Sequence, residues 1–155
     1  MKRTLITGTD NQVLRRGAAE ILAITPHIRS LISDMKETLD GIEIGIGLAA
    51  PQVGENLRLF VISGDFTTET NGHRIFLNPV ITARSKVVRE ADEGCLSLPD
   101  HWGEVERAQK VTLKAFDEDL RPFKVRAKGL LARLFQHEID HLNGMLFVDR
   151  IHSGV

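Results

Sequence analysis

One stretch near the C-terminus constrains this chain more than any other: Leu130 to Gly144, with His137-Glu138-Ile139-Asp140-His141 at its centre. The two histidines are four residues apart, which on an α-helix stacks both imidazoles on one face, where they can hold one metal ion. Glu138 lies one residue further round, close enough to reach a water on that ion without ligating it. Leu130, Leu131, Leu134, Phe135, Ile139 and Leu142 make most of the circumference apolar, and Arg133, Gln136, Asp140 and Asn143 form a polar stripe. Such a helix belongs in a core. Asn143-Gly144 offers it a left-handed stop.

Two histidines do not complete a hydrolytic site, because a catalytic metal usually has three protein ligands and one open position. The run from His137 follows a metzincin spacing as far as Gly144 but then has Phe147 where a third histidine would stand. No glutamate follows Glu138 either, so the third ligand is sought upstream. Cys95, within Glu93-Gly94-Cys95-Leu96-Ser97-Leu98-Pro99, is the only thiol of the protein and the strongest candidate. A thiolate with two imidazoles leaves a fourth position open, as catalysis requires. His27, His73, His101 and His152 lie in polar surroundings without paired spacing and read as surface residues.

A chain of 155 residues is expected to form one domain with a real core. Its net charge of −1 gives no electrostatic case for DNA or an anionic membrane. Met1-Lys2-Arg3 precedes an apolar run too short for a signal peptide, and a lone cysteine fits a reducing, cytoplasmic setting.

Thr25-Pro26 reads as an N-cap and first helical residue, with Ile28, Leu31, Ile32, Met35 and Leu39 at helical spacing behind it. The expectation is an amphipathic helix over 26–40, after a short helical turn through Val13-Leu14-Arg15. Strands are expected over 57–62, 74–82 (broken at Asn78-Pro79), 86–89, 111–116 and 122–125, with a polar loop over 63–72. Helix, run of strands, then helix argues for an α+β fold: mostly antiparallel sheets around the buried C-terminal helix. Gly45-Ile46-Gly47-Leu48-Ala49-Ala50-Pro51-Gln52-Val53-Gly54 reads as a turn-containing loop or a ligand-lining segment.

Three of these stretches together resemble peptide deformylases: Gly45 to Gln52, Glu93 to Ser97, and Gln136 to His141. Their order and separations match the family, and the likeness runs from about Val13 to Asp149. The resemblance implies a hydrolase that removes the N-formyl group from the initiator methionine of new proteins. Cys95, His137 and His141 would then hold the metal and Glu138 would transfer the proton. The Gln52 side chain and the Leu96 N–H would form the oxyanion hole. Ile46, Gly47, Leu130, Leu134 and the His137 ring would wall the methionine pocket, and backbone near Ile44 to Gly47 and before Cys95 would pair with the peptide. Ligand softness alone favours Zn²⁺, whereas the family is typically active with Fe²⁺. The expectation follows the family, with zinc or nickel in purified protein.

Glu93 and Arg107 match a supporting ion pair of the family, but Trp102 stands where relatives commonly have an arginine that contacts the substrate backbone. After Arg150 only Ile151 to Val155 follow, without the C-terminal helix of longer bacterial members, so ribosome contact is expected to be weak and salt-sensitive. A zinc endopeptidase would share the helix but not Gln52 and Cys95 in this context. A non-catalytic metal module would need neither Glu138 nor Gln52. A deacylase for other short N-acyl groups is the nearest rival.

Overall fold

A computed structural model describes residues 1–64 and 72–151. The loop expected over 63–72 falls mostly outside these residues, as do His152 and the rest of the tail. The order of elements is α1 (Gln12–Arg15), α2 (Pro26–Asp40), β1 (Gly47–Ala49), β2 (Leu59–Ile62), β3 (Arg74–Arg84), β4 (Val88–Cys95), β5 (Leu98–Ala108), β6 (Lys110–Phe116), β7 (Pro122–Lys128) and α3 (Gly129–Leu142). Short 3-10 turns at Ala50–Val53 and Phe147–Arg150 complete it. This is the α+β arrangement expected.

Five strands form one antiparallel sheet in the order β1-β2-β3-β6-β7, and β4 pairs with β5 in a separate hairpin. Side chains alternate across a strand, so β2 sends Leu59 and Val61 to one face and Phe60 and Ile62 to the other. On the first face α2 packs Ile28, Leu31, Ile32, Met35 and Leu39. Its start is fixed by Thr25, whose side-chain oxygen accepts from the Ile28 N–H at 3.2 Å. On the second face α3 packs Ala132, Phe135, Ile139 and Leu142 against Phe60, Phe76, Leu113 and Ala127. Phe60 and Phe76 stack at 4.6 Å, and Phe135 meets Phe76 edge-on at 5.1 Å.

Three expectations change. The break at Asn78-Pro79 is a bulge inside one long strand. Asn78 takes φ 47°, and its amide makes two bonds to the Ile21 backbone, at 2.9 and 2.8 Å, as a strand neighbour would. The strand expected at 86–89 runs on to Cys95 and folds back through Leu96-Ser97 into β5, a strand the sequence reading lacked. Its pattern is hidden because β5 is exposed along most of its length and carries Asp100, His101, Glu104 and Glu106. The polar stripe of α3, finally, is partly internal: Gln136 and Asp140 are buried, whereas Leu130 is 52% exposed.

After α3, Gly144 does supply the left-handed residue, at φ +74°. A Cβ there would collide with the Arg15 carbonyl, so the turn fits only glycine. The chain then packs Leu146 and Phe147 with Leu14, Leu98 and Val105. This small cluster seats the β4–β5 hairpin beside α3.

Candidate metal centre and active site

Helix α3 and the hairpin turn bring three potential ligands together. Ligand atoms of Cys95, His137 and His141 all lie within 4.8 Å of one another, and Cys95 Sγ is 3.3 Å from His141 Nε2. A tetrahedral ion with ordinary metal–sulfur and metal–nitrogen bonds separates S and N by about 3.5 Å. The donor set therefore fits a divalent ion. Two buried polar atoms in this cluster have no partner among the described residues, Glu138 Oε2 and His141 Nδ1. Burial and the charges of His137 and Arg107 hold the His141 imidazole well below its ordinary pKa, in the neutral form that ligates.

His137 is oriented from behind. Its Nδ1 lies 3.0 Å from Glu93 Oε1, which leaves Nε2 as the nitrogen available to an ion. Burial would lower this imidazole's pKa, but its contacts with Cys95 and Glu93 outweigh that and raise it to about 10. Glu93 is buried, which would raise its pKa. Arg107 grips it with two bonds of 2.9 Å, and with His137 holds it well below the usual carboxylate range.

The expected Glu93–Arg107 pair is one link in a longer chain. Arg107 also donates to Asp140 at 2.6 Å, Arg150 holds Asp140 through bonds of 2.6 and 2.8 Å, and Arg133 donates to Glu93 at 2.6 Å. Asp140, expected in the polar stripe of α3, is buried because Arg107 and Arg150 meet it there, and neither partner was legible from helical spacing. Gln136 pins α3 to the end of β5 through bonds to Ala108 N–H and C=O at 3.0 and 2.9 Å.

On the opposite wall, the stretch left open between loop and ligand lining is strand β1 followed by a 3-10 turn. Gln52 is 1% exposed; its Oε1 accepts from Ala49 N–H at 2.9 Å, and its Nε2 donates to Ser97 Oγ at 3.2 Å. The same Nε2 lies 3.7 Å from Cys95 Sγ. Ser97, fully buried, holds the Gln52 amide in place, a contact that the sequence offered no sign of. Gly47 stands directly against Glu138: a Cβ there would lie 2.8 Å from its Oε1. Burial pushes the Glu138 carboxyl up to about 7, with the His137 charge acting in the opposite sense.

Leu96 lies in the two-residue turn just after Cys95. Ile46, half-buried, precedes β1, and its carbonyl accepts from Ser63 N–H at 2.7 Å. Leu130, Leu134 and His137 share one face of α3, a row running from solvent to the candidate ligands. Trp102 is 69% exposed and lies over Gly94, where a Cβ would be 2.5 Å from the indole. His27 and His101 are exposed as expected, but His73 is mostly covered, beside Asp40 at 2.6 Å.

The polypeptide deformylase family model matches residues 4–154. The chain belongs to the peptide deformylase family. It is therefore a hydrolase that removes the N-formyl group from the N-terminal methionine of nascent chains. A curated peptide deformylase of Halothermothrix orenii is 46% identical over 140 residues, covering 90% of this chain and 87% of that protein. One from Microchaete diplosiphon is 42% identical over 145 residues, covering 94% and 77%. Among solved structures, the Thermotoga maritima peptide deformylase superposes with TM-score 0.88 at 35% identity, covering 99% of both chains. A probable peptide deformylase from Synechococcus phage S-SSM7 gives 0.86 at 39% identity, covering 97% of this chain and all of its own. Among the described residues no helix is long and apolar enough to cross a membrane.

Proposed function

We propose that Cys95, His137 and His141 hold the catalytic divalent ion, Fe²⁺ in the cell, within a single catalytic domain over residues 1–155. The observation that carries this reading is the convergence of the three ligand atoms within 4.8 Å beside the buried Glu138 and Gln52. An ion there would lower the pKa of a water toward ~7, making hydroxide available. A thiolate–imidazole set also accepts Zn²⁺ or Ni²⁺, which are expected occupants of purified protein.

Glu138 accepts a proton from the attacking water and then delivers it to the departing amine. Its buried setting and its place off the ligand row suit a group that is alternately charged and neutral. Negative charge builds on the formyl oxygen as the water oxygen adds to the carbon. The Gln52 amide and the Leu96 N–H donate to that oxygen, an arrangement in which one donor is typically worth about 10²–10³ in kcat. Gln52 needs little reorganisation, because Ala49 and Ser97 already hold its two ends.

The methionine side chain packs against Ile46, Gly47, Leu130, Leu134 and the His137 ring. The following residues extend along β1, which is an edge strand and can accept another by β-addition. Trp102 replaces a charged donor with a stacking surface and favours hydrophobic residues beyond the methionine. The enzyme works in the cytoplasm, where its single thiol stays reduced. Its contact with the ribosome is transient and salt-sensitive.

Formate release by the metal-loaded enzyme tests the reading. Formyl-Met-Ala should turn over, and acetyl-Met-Ala and N-blocked internal peptides should not. Deacetylation at a comparable rate would make the enzyme a general N-deacylase and remove the assigned specificity.

A further inference from the structure

The face of the main sheet that α2 covers at β2 and β3 continues over β6 and β7, where no described helix or strand packs on it. Strand register fixes which side chains it presents: Lys114 faces Lys124, Thr112 faces Arg126, and Lys110 faces Lys128. The alternate residues Val111, Leu113, Ala115 and Ala127 turn to α3 on the other side. All five cations are exposed, and none makes an ion pair with a described residue. Neither strand contains an Asp or Glu. The nearest carboxylates lie in the connecting turn, where Asp117 caps backbone N–H groups at 2.9 and 3.0 Å and Glu118 pairs with Lys36 at 2.7 Å.

Two of these cross-strand pairs set like charges directly opposite each other, which destabilises a sheet. An anionic ligand would relieve that repulsion. Two grooves of about 540 and 480 Å³ run along the face; Lys114 and Lys124 line one, and Lys110, Arg126 and Lys128 the other. Along β7 the cations repeat about every 6.8 Å, and the strands lie about 4.8 Å apart. This is a two-dimensional array without a pocket for one small anion. Its centre carries Thr112, and only its end beside Lys114 carries an exposed ring, Phe116, next to Val80. That is little apolar surface to insert into a lipid layer, but it is one ring on which a base can stack.

We propose that the uncovered face of β6 and β7 docks on the phosphate backbone of structured RNA through Lys110, Lys114, Lys124, Arg126 and Lys128. The net charge of −1 conceals this face, because the balancing carboxylates lie elsewhere, many of them on the β4–β5 hairpin. The contact is independent of sequence and strongly dependent on salt. For an enzyme that acts on nascent chains, RNA is the polyanion present where those chains emerge. The proposal rests on the charge array and not on the assignment of the metal site.

The test is fluorescence anisotropy of a labelled RNA hairpin with the intact metal-loaded enzyme between 50 and 200 mM salt. Five phosphate contacts give a log–log slope of about −4.5, a loss of roughly 500-fold over that range. The double reversal Lys114→Glu/Lys124→Glu should weaken binding at least ~10-fold and bring the slope to about −2.7, with formate release from free peptide unchanged. The control Arg16→Glu/Arg29→Glu makes the same change in net charge at exposed positions off this face and should bind as the parent does. Equal losses in both variants would overturn the proposal, as would binding to phosphatidylserine vesicles but not to RNA. Lys114→Glu alone, which places opposite charges across the strands, should raise Tm by about 1–3 °C while lowering RNA affinity. Unchanged RNA affinity in that more stable protein would also defeat it.

Discussion

The β4–β5 and β6–β7 hairpins are both rich in charge and use it in opposite ways. In β4–β5 the decisive charges turn inward: Glu93 and Arg107 are buried, and with Asp140 and Arg150 they form a continuous chain behind His137. In β6–β7 the cations are all exposed and meet no ion-pair partner among the described residues. Burial explains the difference. A charge removed from water must be matched by a partner or it costs several kcal/mol, so each charge of the inward network has one. An exposed cation bears no such requirement and remains free to meet a ligand. The first hairpin positions chemistry, and the second is suited to recognition.

The largest effects are expected where the inward network ends, at the metal centre. Cys95→Ala should lose both metal and activity, because the remaining two imidazoles cannot hold the ion alone. Glu138→Ala should keep its metal while turnover falls by about 10²–10⁴. Metal analysis beside formate release separates the two variants. Normal metal content and rate in Cys95→Ala would return Cys95 to the core, and metal loss in a folded Glu138→Ala protein would contradict its role in proton transfer.

Next comes the network itself. Arg107→Leu removes the buried cation shared by Glu93 and Asp140, leaving Glu93 to Arg133 and His137 and Asp140 to Arg150, and should cost about 3 kcal/mol. Chemical denaturation reads this directly. A loss below ~1 kcal/mol would show that the buried chain tolerates a gap, and the contrast with the exposed hairpin would weaken.

A smaller effect is expected at Gly47. In Gly47→Ala the new methyl meets the Glu138 carboxylate, so kcat should fall with the metal retained. Steady-state kinetics with metal analysis would show it; a parental kcat would mean that Glu138 moves aside without consequence. The smallest concerns Trp102, exposed on the outer side of the first hairpin. Turnover of formyl-Met-Ala-x peptides should favour hydrophobic x, and Trp102→Arg should flatten that preference. A flat parental profile that the variant leaves unchanged would remove the role of the indole.

The sequence by itself determined the elements whose signals are local. Helix α2 follows from Thr25-Pro26 and its apolar spacing, and α3 from its apolar circumference and its Gly144 stop, because a 3.6-residue period and a cap need no distant partner. The spacing of His137 and His141 put two candidate ligands on one helix face. Cys95 was legible only in company, since one thiol says nothing until a two-histidine site lacks a third donor.

Tertiary structure decided the rest. Strand β5 exists because β4 pairs with it; its own exposed, charged residues carry no alternation to detect. Gln136, Asp140 and Ser97 are buried only because Ala108, Arg107 and Gln52 come from elsewhere to satisfy them. The cationic face had no signal in a net charge of −1. Net charge sums over positions, while an electrostatic field depends on where each charge stands. Only the register of β6 on β7 sets Lys114 beside Lys124 and Lys110 beside Lys128, on the side that α2 leaves uncovered.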